Sequence, residues 1–220
     1  MTLRVGLTGG LASGKTTVAQ MFSARGVHVM FADEVARELM QPGQEVYREV
    51  VKHFGDSIVN PDKTINRSRL AEIAFGANRI EELNRIVHPA VRIRMERWIE
   101  EMTEFDPRGI LMYEAALILE AGVGKYFDKL IVVTSSPQQK LERFAARAQG
   151  STGVDEAQRA KALRDAERRM GAQLSEEEKI AAADYVIDNS GTPAETERHV
   201  SKVFKELQQL VNQKRGASGS

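Results

Sequence analysis

Gly9-Gly10-Leu11-Ala12-Ser13-Gly14-Lys15-Thr16 has the spacing G-x-x-x-x-G-K-T, which is the P-loop pattern. Its glycines let backbone N–H groups turn inward around a polyphosphate, and a following helix N-terminus adds partial positive charge. The flanks agree with the motif. Leu3 to Leu7 reads as a short apolar strand, and Thr17 to Arg25 as a helix with Val18, Met21 and Phe22 on one face. Residues Gly9 to Thr17 are therefore expected to bind nucleotide phosphates, with Lys15 on the outer phosphates and the Thr16 hydroxyl on Mg²⁺.

Outward from the loop, Gly26 is a helix stop and Val27 to Ala32 a buried strand ending in Asp33. Strand, P-loop, helix, strand implies a parallel sheet with a right-handed crossover, and ligands in such sheets sit at the carboxyl ends of the strands. Asp33 on the neighbouring strand is thereby expected near the phosphates. It could serve as a catalytic base, an indirect Mg²⁺ partner or an N-cap.

Residues 34–105 carry several helical patterns and no convincing strand, which reads as an inserted helical subdomain able to cover a substrate. Helices are expected over Glu45 to Phe54, Ser68 to Phe75 and Ile80 to Val87, with Asn60 to Lys63 as a turn. His88-Pro89 is expected to end one helix and open a long one carrying Val91, Met95, Trp98, Ile99 and Met102. His88 is then a base, a substrate contact or a residue at a helix C-terminus. Of the arginines here, Arg67 among them, one or two facing a cleft could hold phosphate.

Further along, Ile110 to Tyr113, Leu130 to Val133 and Tyr185 to Ile187 read as strands. Either Glu114 or Glu120 could hold the water shell of a magnesium ion. Arg143 and Arg147 lie one turn apart on a weakly apolar helix after Pro137, a pattern for a lid or for a solvated charged helix. Ser175 to Glu178 is a capping box, and Thr192 to Glu195 caps the last helix. Residues 214–220 are expected to be disordered.

Composition sets outer bounds. The chain has 220 residues, 42% hydrophobic and 28% charged, with 31 basic and 31 acidic side chains and no cysteine. Zero net charge offers no bulk attraction for nucleic acid or an anionic membrane, and no thiol chemistry is available. No stretch approaches a membrane span and no signal peptide opens the chain, so a cytoplasmic protein is expected, a monomer or small homo-oligomer. No N-K-x-D element for guanine is present. Small size, a helical insert and an arginine-bearing lid point to a kinase for a small metabolite. Asp33 would take the acceptor's proton while Lys15, Arg143 and Mg²⁺ neutralise the γ-phosphoryl oxygens.

The ordered set of motifs resembles the dephospho-coenzyme A kinase family over nearly the whole chain. It comprises Leu7 through Thr17, Ala32-Asp33, Gln41-Pro42-Gly43, Phe54-Gly55, Asp62 through Arg67 and His88-Pro89. It continues with Leu117 to Glu120, Arg143 and Arg147, Gln173, and Ala183 through Gly191. The resemblance implies an α/β fold: a three-layer, P-loop nucleoside triphosphate hydrolase-like parallel sheet with a helical insert and a helical lid. The nucleotide-binding core is then 1–33, 106–135 and 183–213, the CoA-binding insert 34–105 and the lid 137–182. It also implies ATP-dependent phosphorylation of the ribose 3′-hydroxyl of dephospho-CoA, with Asp33 as base. Gly9 through Thr17 and Arg147 fall to ATP, and Arg67, His88 and Glu120 to the substrate. Phe31 and Ala116 depart from residues common in the family, and the stretch between Arg147 and Gln173 is longer by about two to three helical turns. The alternatives are another small-metabolite or nucleoside monophosphate P-loop kinase, or an ATP-binding regulator.

Overall fold

The computed structural model describes residues 1–76, 79–149, 164, 171 and 173–217. Elements run β1 (Leu3–Gly9), α1 (Lys15–Ser23), β2 (His28–Phe31), α2 (Ala32–Leu39), α3 (Glu45–Phe54), α4 (Arg67–Gly76) and α5 (Ile80–Phe105). They continue with β3 (Ile110–Glu114), β4 (Lys129–Thr134), α6 (Pro137–Gln149), α7 (Glu176–Ala181), β5 (Tyr185–Asp188) and α8 (Pro193–Ala217). The chain divides into two compact units, residues 1–30 with 102–220, and residues 31–101.

The first unit is built on a five-stranded sheet in the order β2-β3-β1-β4-β5. β1 lies at its centre and pairs in parallel with β3 (Leu7 opposite Glu114) and with β4 (Gly9 opposite Val133). The order corrects one expectation: β2 is not the neighbour of β1, because β3 lies between them. The acid at the end of the strand beside the P-loop strand is therefore Glu114. A central parallel strand is covered on both faces: Leu3, Val5 and Leu7 are buried on one side, and Gly6 and Thr8 on the other. Packing on one face comes from α1, whose Val18, Ala19 and Phe22 are buried, and from α8, which buries Val200, Val203 and Leu207. Arg25 ties the two helices together through Glu197 and Ser201 (2.9 Å to the Ser201 hydroxyl).

Both predicted caps are present. Ser175 Oγ accepts from the Glu178 N–H (3.1 Å) and Glu178 accepts from the Ser175 N–H (2.8 Å), which opens α7. The Thr192 N–H likewise donates to Glu195 (2.7 Å) where α8 begins. α8 continues to Ala217, into the segment expected to be disordered.

The second unit is helical, its only strand-like pairing among the described residues an isolated bridge between Val59 and Ile65. That bridge closes the predicted turn, where Asp62 accepts from the Thr64 N–H (3.0 Å) and hydroxyl (2.6 Å). His53 and Arg79 both engage the Glu82 carboxylate, at 2.5 Å and 2.8 Å, and Arg79 lies over the Phe54 ring. The hydrogen bond from Arg79, and then that from His53, pull the Glu82 carboxyl down to about 2. Pro89 does not begin a helix as expected; it lies inside α5. The helix passes through it although a mid-helix proline removes one backbone hydrogen bond. Val87, Val91 and Met95 form one buried stripe at i, i+4 spacing across it. His88 is accordingly mid-helix, which removes the reading of a histidine at a helix C-terminus.

Candidate active site

The turn from β1 into α1 fixes the P-loop. Gly9 has φ 152° and its Cα faces the Val133 backbone carbonyl so closely that a Cβ would overlap that oxygen. Gly14, the residue before α1, has φ 94°; a Cβ there would overlap the Asn189 amide nitrogen and lie 3.2 Å from its Cγ. Ala12 is left-handed too, at φ 55°. A run with this backbone turns N–H groups inward, and the first N–H groups of α1 have no partner within the helix.

Side chains converge on the loop from three elements. Lys15 Nζ donates to the Gly9 and Gly10 carbonyls, each at 3.0 Å. From α6, Arg143 donates to the Asn189 carbonyl (2.9 Å), the Ser135 hydroxyl (3.3 Å) and the Ser13 carbonyl (3.4 Å). Lys140, one turn earlier, is buried in an ion pair with Glu176 of α7, and its Nζ would lie 3.6 Å from a Cβ at Gly10. Asn189, just past β5, donates to the Ser13 carbonyl at 2.8 Å. Ser13 Oγ is buried and has no hydrogen-bond partner among the described residues. Thr16 and Thr17 are exposed, and Glu114 is 6% exposed at the end of β3. A cationic, glycine-lined cradle at the carboxyl edge of a parallel sheet is suited to a nucleoside triphosphate.

The family model for dephospho-CoA kinase matches residues 3–195. The chain belongs to the dephospho-CoA kinase family. Dephospho-CoA kinase of Thermobifida fusca is 37% identical over 211 residues, 96% of this chain and 98% of the relative. That of Aquifex aeolicus is 39% identical over 205 residues, 93% of this chain and 97% of the relative. A crystal structure from Thermus thermophilus superposes with a TM-score of 0.69 at 28% identity, covering 94% of this chain and 98% of its own. Dephospho-CoA kinase from Campylobacter jejuni shares the fold, with a TM-score of 0.66 at 23% identity, covering 95% of this chain and 98% of its own.

For a dephospho-CoA kinase family member, the other expected site residues fall into place unevenly. Asp33 is exposed and sits in the first turn of α2, directly after β2, rather than at the end of the strand itself. Arg67 is exposed as the first residue of α4, whose start is capped by Asn66 accepting from the Arg69 N–H (2.9 Å). His88 is half-buried in α5, and that burial pulls its imidazole below the usual histidine range. Glu120 is otherwise employed: its carboxylate accepts from the Leu174 N–H (3.0 Å) and pairs with Lys179 at 3.0 Å. Lys179 is 1% exposed and also donates to Ala116 O and Gln173. A carboxylate so held braces the loop after β3 against the start of α7. Arg147 lies on α6 with its side chain outside the described residues, as is most of the stretch between Gly150 and Ala172. The sequence reading passed over Lys140 and Asn189. Asn189 fell within the Ala183 through Gly191 motif, where nothing set its amide apart from its polar neighbours.

Proposed function

We propose that this chain transfers the γ-phosphoryl group of ATP to the ribose 3′-hydroxyl of dephospho-CoA, giving CoA and ADP, the final step of CoA biosynthesis in the cytoplasm. The observation that carries the reading is a complete P-loop on the central strand of a chain that matches the dephospho-CoA kinase family over residues 3–195.

Phosphoryl transfer of this kind asks the protein for positioning and charge neutralisation. Gly9 through Thr17 hold the ATP phosphates. Lys15 leaves the Gly9 and Gly10 carbonyls for the outer phosphate oxygens, and Arg143 stands beside the loop to share the charge. Asp33 accepts the proton of the 3′-hydroxyl as its oxygen bonds to the γ-phosphorus and the bond to the bridging oxygen of ADP breaks. Its support is chemical type and chain position: a solvent-accessible acid directly after a strand of the nucleotide-binding sheet. The helical unit, with Arg67 and His88, takes the dephospho-CoA. The proposed lid, 137–182 with Arg147, lies in large part outside the described residues, and Arg143 of α6 is its described arginine.

The donor set also fits magnesium. The described residues contain no group of three His, Cys, Asp or Glu able to cage a metal. A magnesium ion instead typically keeps its waters and binds substrate phosphates with one or two protein oxygens. The Thr16 hydroxyl and, through water, the Glu114 carboxylate would supply these. Bound there with ATP, the ion would neutralise phosphate charge.

The test is ADP formation by the purified chain with Mg·ATP and dephospho-CoA, AMP, shikimate or gluconate as acceptor. Turnover with dephospho-CoA and formation of CoA are expected. Stimulation by one of the other acceptors but not by dephospho-CoA would refute the assignment.

A further inference from the structure

Asn189 is 8% exposed, and every polar group it owns is engaged on a different element. Its N–H donates to the Thr134 carbonyl at the end of β4 (2.9 Å), and its carbonyl accepts from Arg143 of α6 (2.9 Å). Its side-chain Nδ2 donates to the Ser13 carbonyl (2.8 Å), and Oδ1 accepts from the Thr196 hydroxyl of α8 (2.8 Å). The orientation of the amide is dictated by chemistry, because a carbonyl oxygen can only accept and the group facing Ser13 must therefore be a donor. Thr196, 1% exposed, holds the other end in place.

We propose that Asn189 is a positioning residue for phosphoryl transfer, aiming the P-loop by holding the Ser13 carbonyl back toward the turn after β5. The proposal rests on the reading that this loop binds the phosphates of ATP. In a trans peptide unit the carbonyl of one residue and the N–H of the next point in opposite directions. Pinning Ser13 O by Asn189, with Arg143 as a second donor at 3.4 Å, therefore turns the Gly14 N–H the other way, as a loop that cradles phosphate requires. The close approach of the amide nitrogen to Gly14 explains why no side chain fits at that position. Asn189 and Gly14 are one device split between the two ends of the sequence. Neither a leucine nor an aspartate could serve at 189. The first offers no donor, and the second, when ionised, sets a negative charge against a carbonyl oxygen.

The experiment compares the full-length wild type, N189A, N189D and T196V by steady-state kinetics in both substrates. Expected for N189A is a loss of about 10- to 100-fold in kcat/KM for ATP, with KM for dephospho-CoA changed by less than about twofold. N189D should fall further at about pH 8 and recover at least about tenfold relative to wild type toward pH 5, as the introduced carboxyl takes a proton and its O–H donates to Ser13. T196V keeps the amide but frees its far end, and should cost about three- to tenfold. It decides the matter if the Asn189 variants do not fold. An N189D loss that is flat with pH, together with ATP affinity in N189A within about threefold of wild type, would make Asn189 a purely structural residue and overturn the proposal, as would N189D within about threefold of wild type throughout. ATP binding by titration calorimetry, expected to weaken at least about tenfold in N189A, tests Asn189 apart from the acceptor. If wild type binds ATP but ignores dephospho-CoA, the proposed reaction falls while the Asn189 assignment is still judged by that binding.

Discussion

Substituting Gly14 by alanine has a cost that can be assembled from its surroundings. With φ at 94°, an L-residue in that region loses about 1–2 kcal/mol. The unfolded chain, less free with alanine than with glycine, returns about 0.4–1 kcal/mol. The new methyl also overlaps Asn189 Nδ2, so the amide must swing away and abandon the Ser13 carbonyl. Leaving a buried polar group unpaired adds about 1–3 kcal/mol. The expected destabilisation is about 2–4 kcal/mol in all. Only part of it belongs to Gly14 alone. In an N189A background the overlap disappears, because the next atom a Cβ would meet is an Arg143 nitrogen at 3.5 Å, an ordinary contact. There G14A should cost about 0.5–1 kcal/mol, the backbone strain less the entropy gain, and the cycle should show about 1–3 kcal/mol of coupling. The assay is urea unfolding of the four proteins without nucleotide, followed by far-ultraviolet circular dichroism. Additivity within about 0.5 kcal/mol, or a G14A cost below about 1 kcal/mol, would refute the contact and the reasoning built on it.

Three other outcomes are expected. D33N should lower turnover by about two to three orders of magnitude while ATP affinity, measured by calorimetry, stays within about threefold; a variant keeping more than a tenth of the wild-type rate would remove the base role. F22A empties a fully buried position on α1, and should cost about 3–5 kcal/mol in urea unfolding, with less than 1.5 kcal/mol arguing that the site collapses freely. Burial lowers the folded-state pKa of His88, so below about pH 6.5 the unfolded chain binds more protons than the folded one. Its contribution is therefore full above that pH and is lost as the pH falls. H88Q should lessen the drop in the urea midpoint between about pH 7.5 and 5.5, and an unchanged drop would show that other groups cause it.

The nucleotide half of the molecule was legible because its chemistry is local. A P-loop states its own spacing, and the caps at Ser175 and Thr192 are complete within four residues. Strand order was not legible. Nothing within Val27 to Ala32 says that Ile110 to Glu114 will lie between it and β1, because adjacency is set by crossovers through residues far away. The same distance hid Asn189, which acts on a loop 176 positions earlier in the chain. Nor does the sequence show that Glu114 is buried at the end of a core strand while Glu120 pairs with Lys179. Pro89 misled for a local reason, since proline usually starts a helix, and here a stripe of apolar side chains carries the helix through it.

The central place of β1 has a consequence for the history of each molecule. The strand that carries the nucleotide loop is made before both of its hydrogen-bonded neighbours, which lie more than 100 positions downstream, beginning at Ile110 and Lys129. On the ribosome, Leu3 to Gly9 must wait as an apolar, unpaired ribbon while residues 31–101, a compact unit of their own, emerge and are free to fold. Closing so long a loop is slow and exposes a sticky strand meanwhile. The central strand can complete its ladder only after both distant partners have been made.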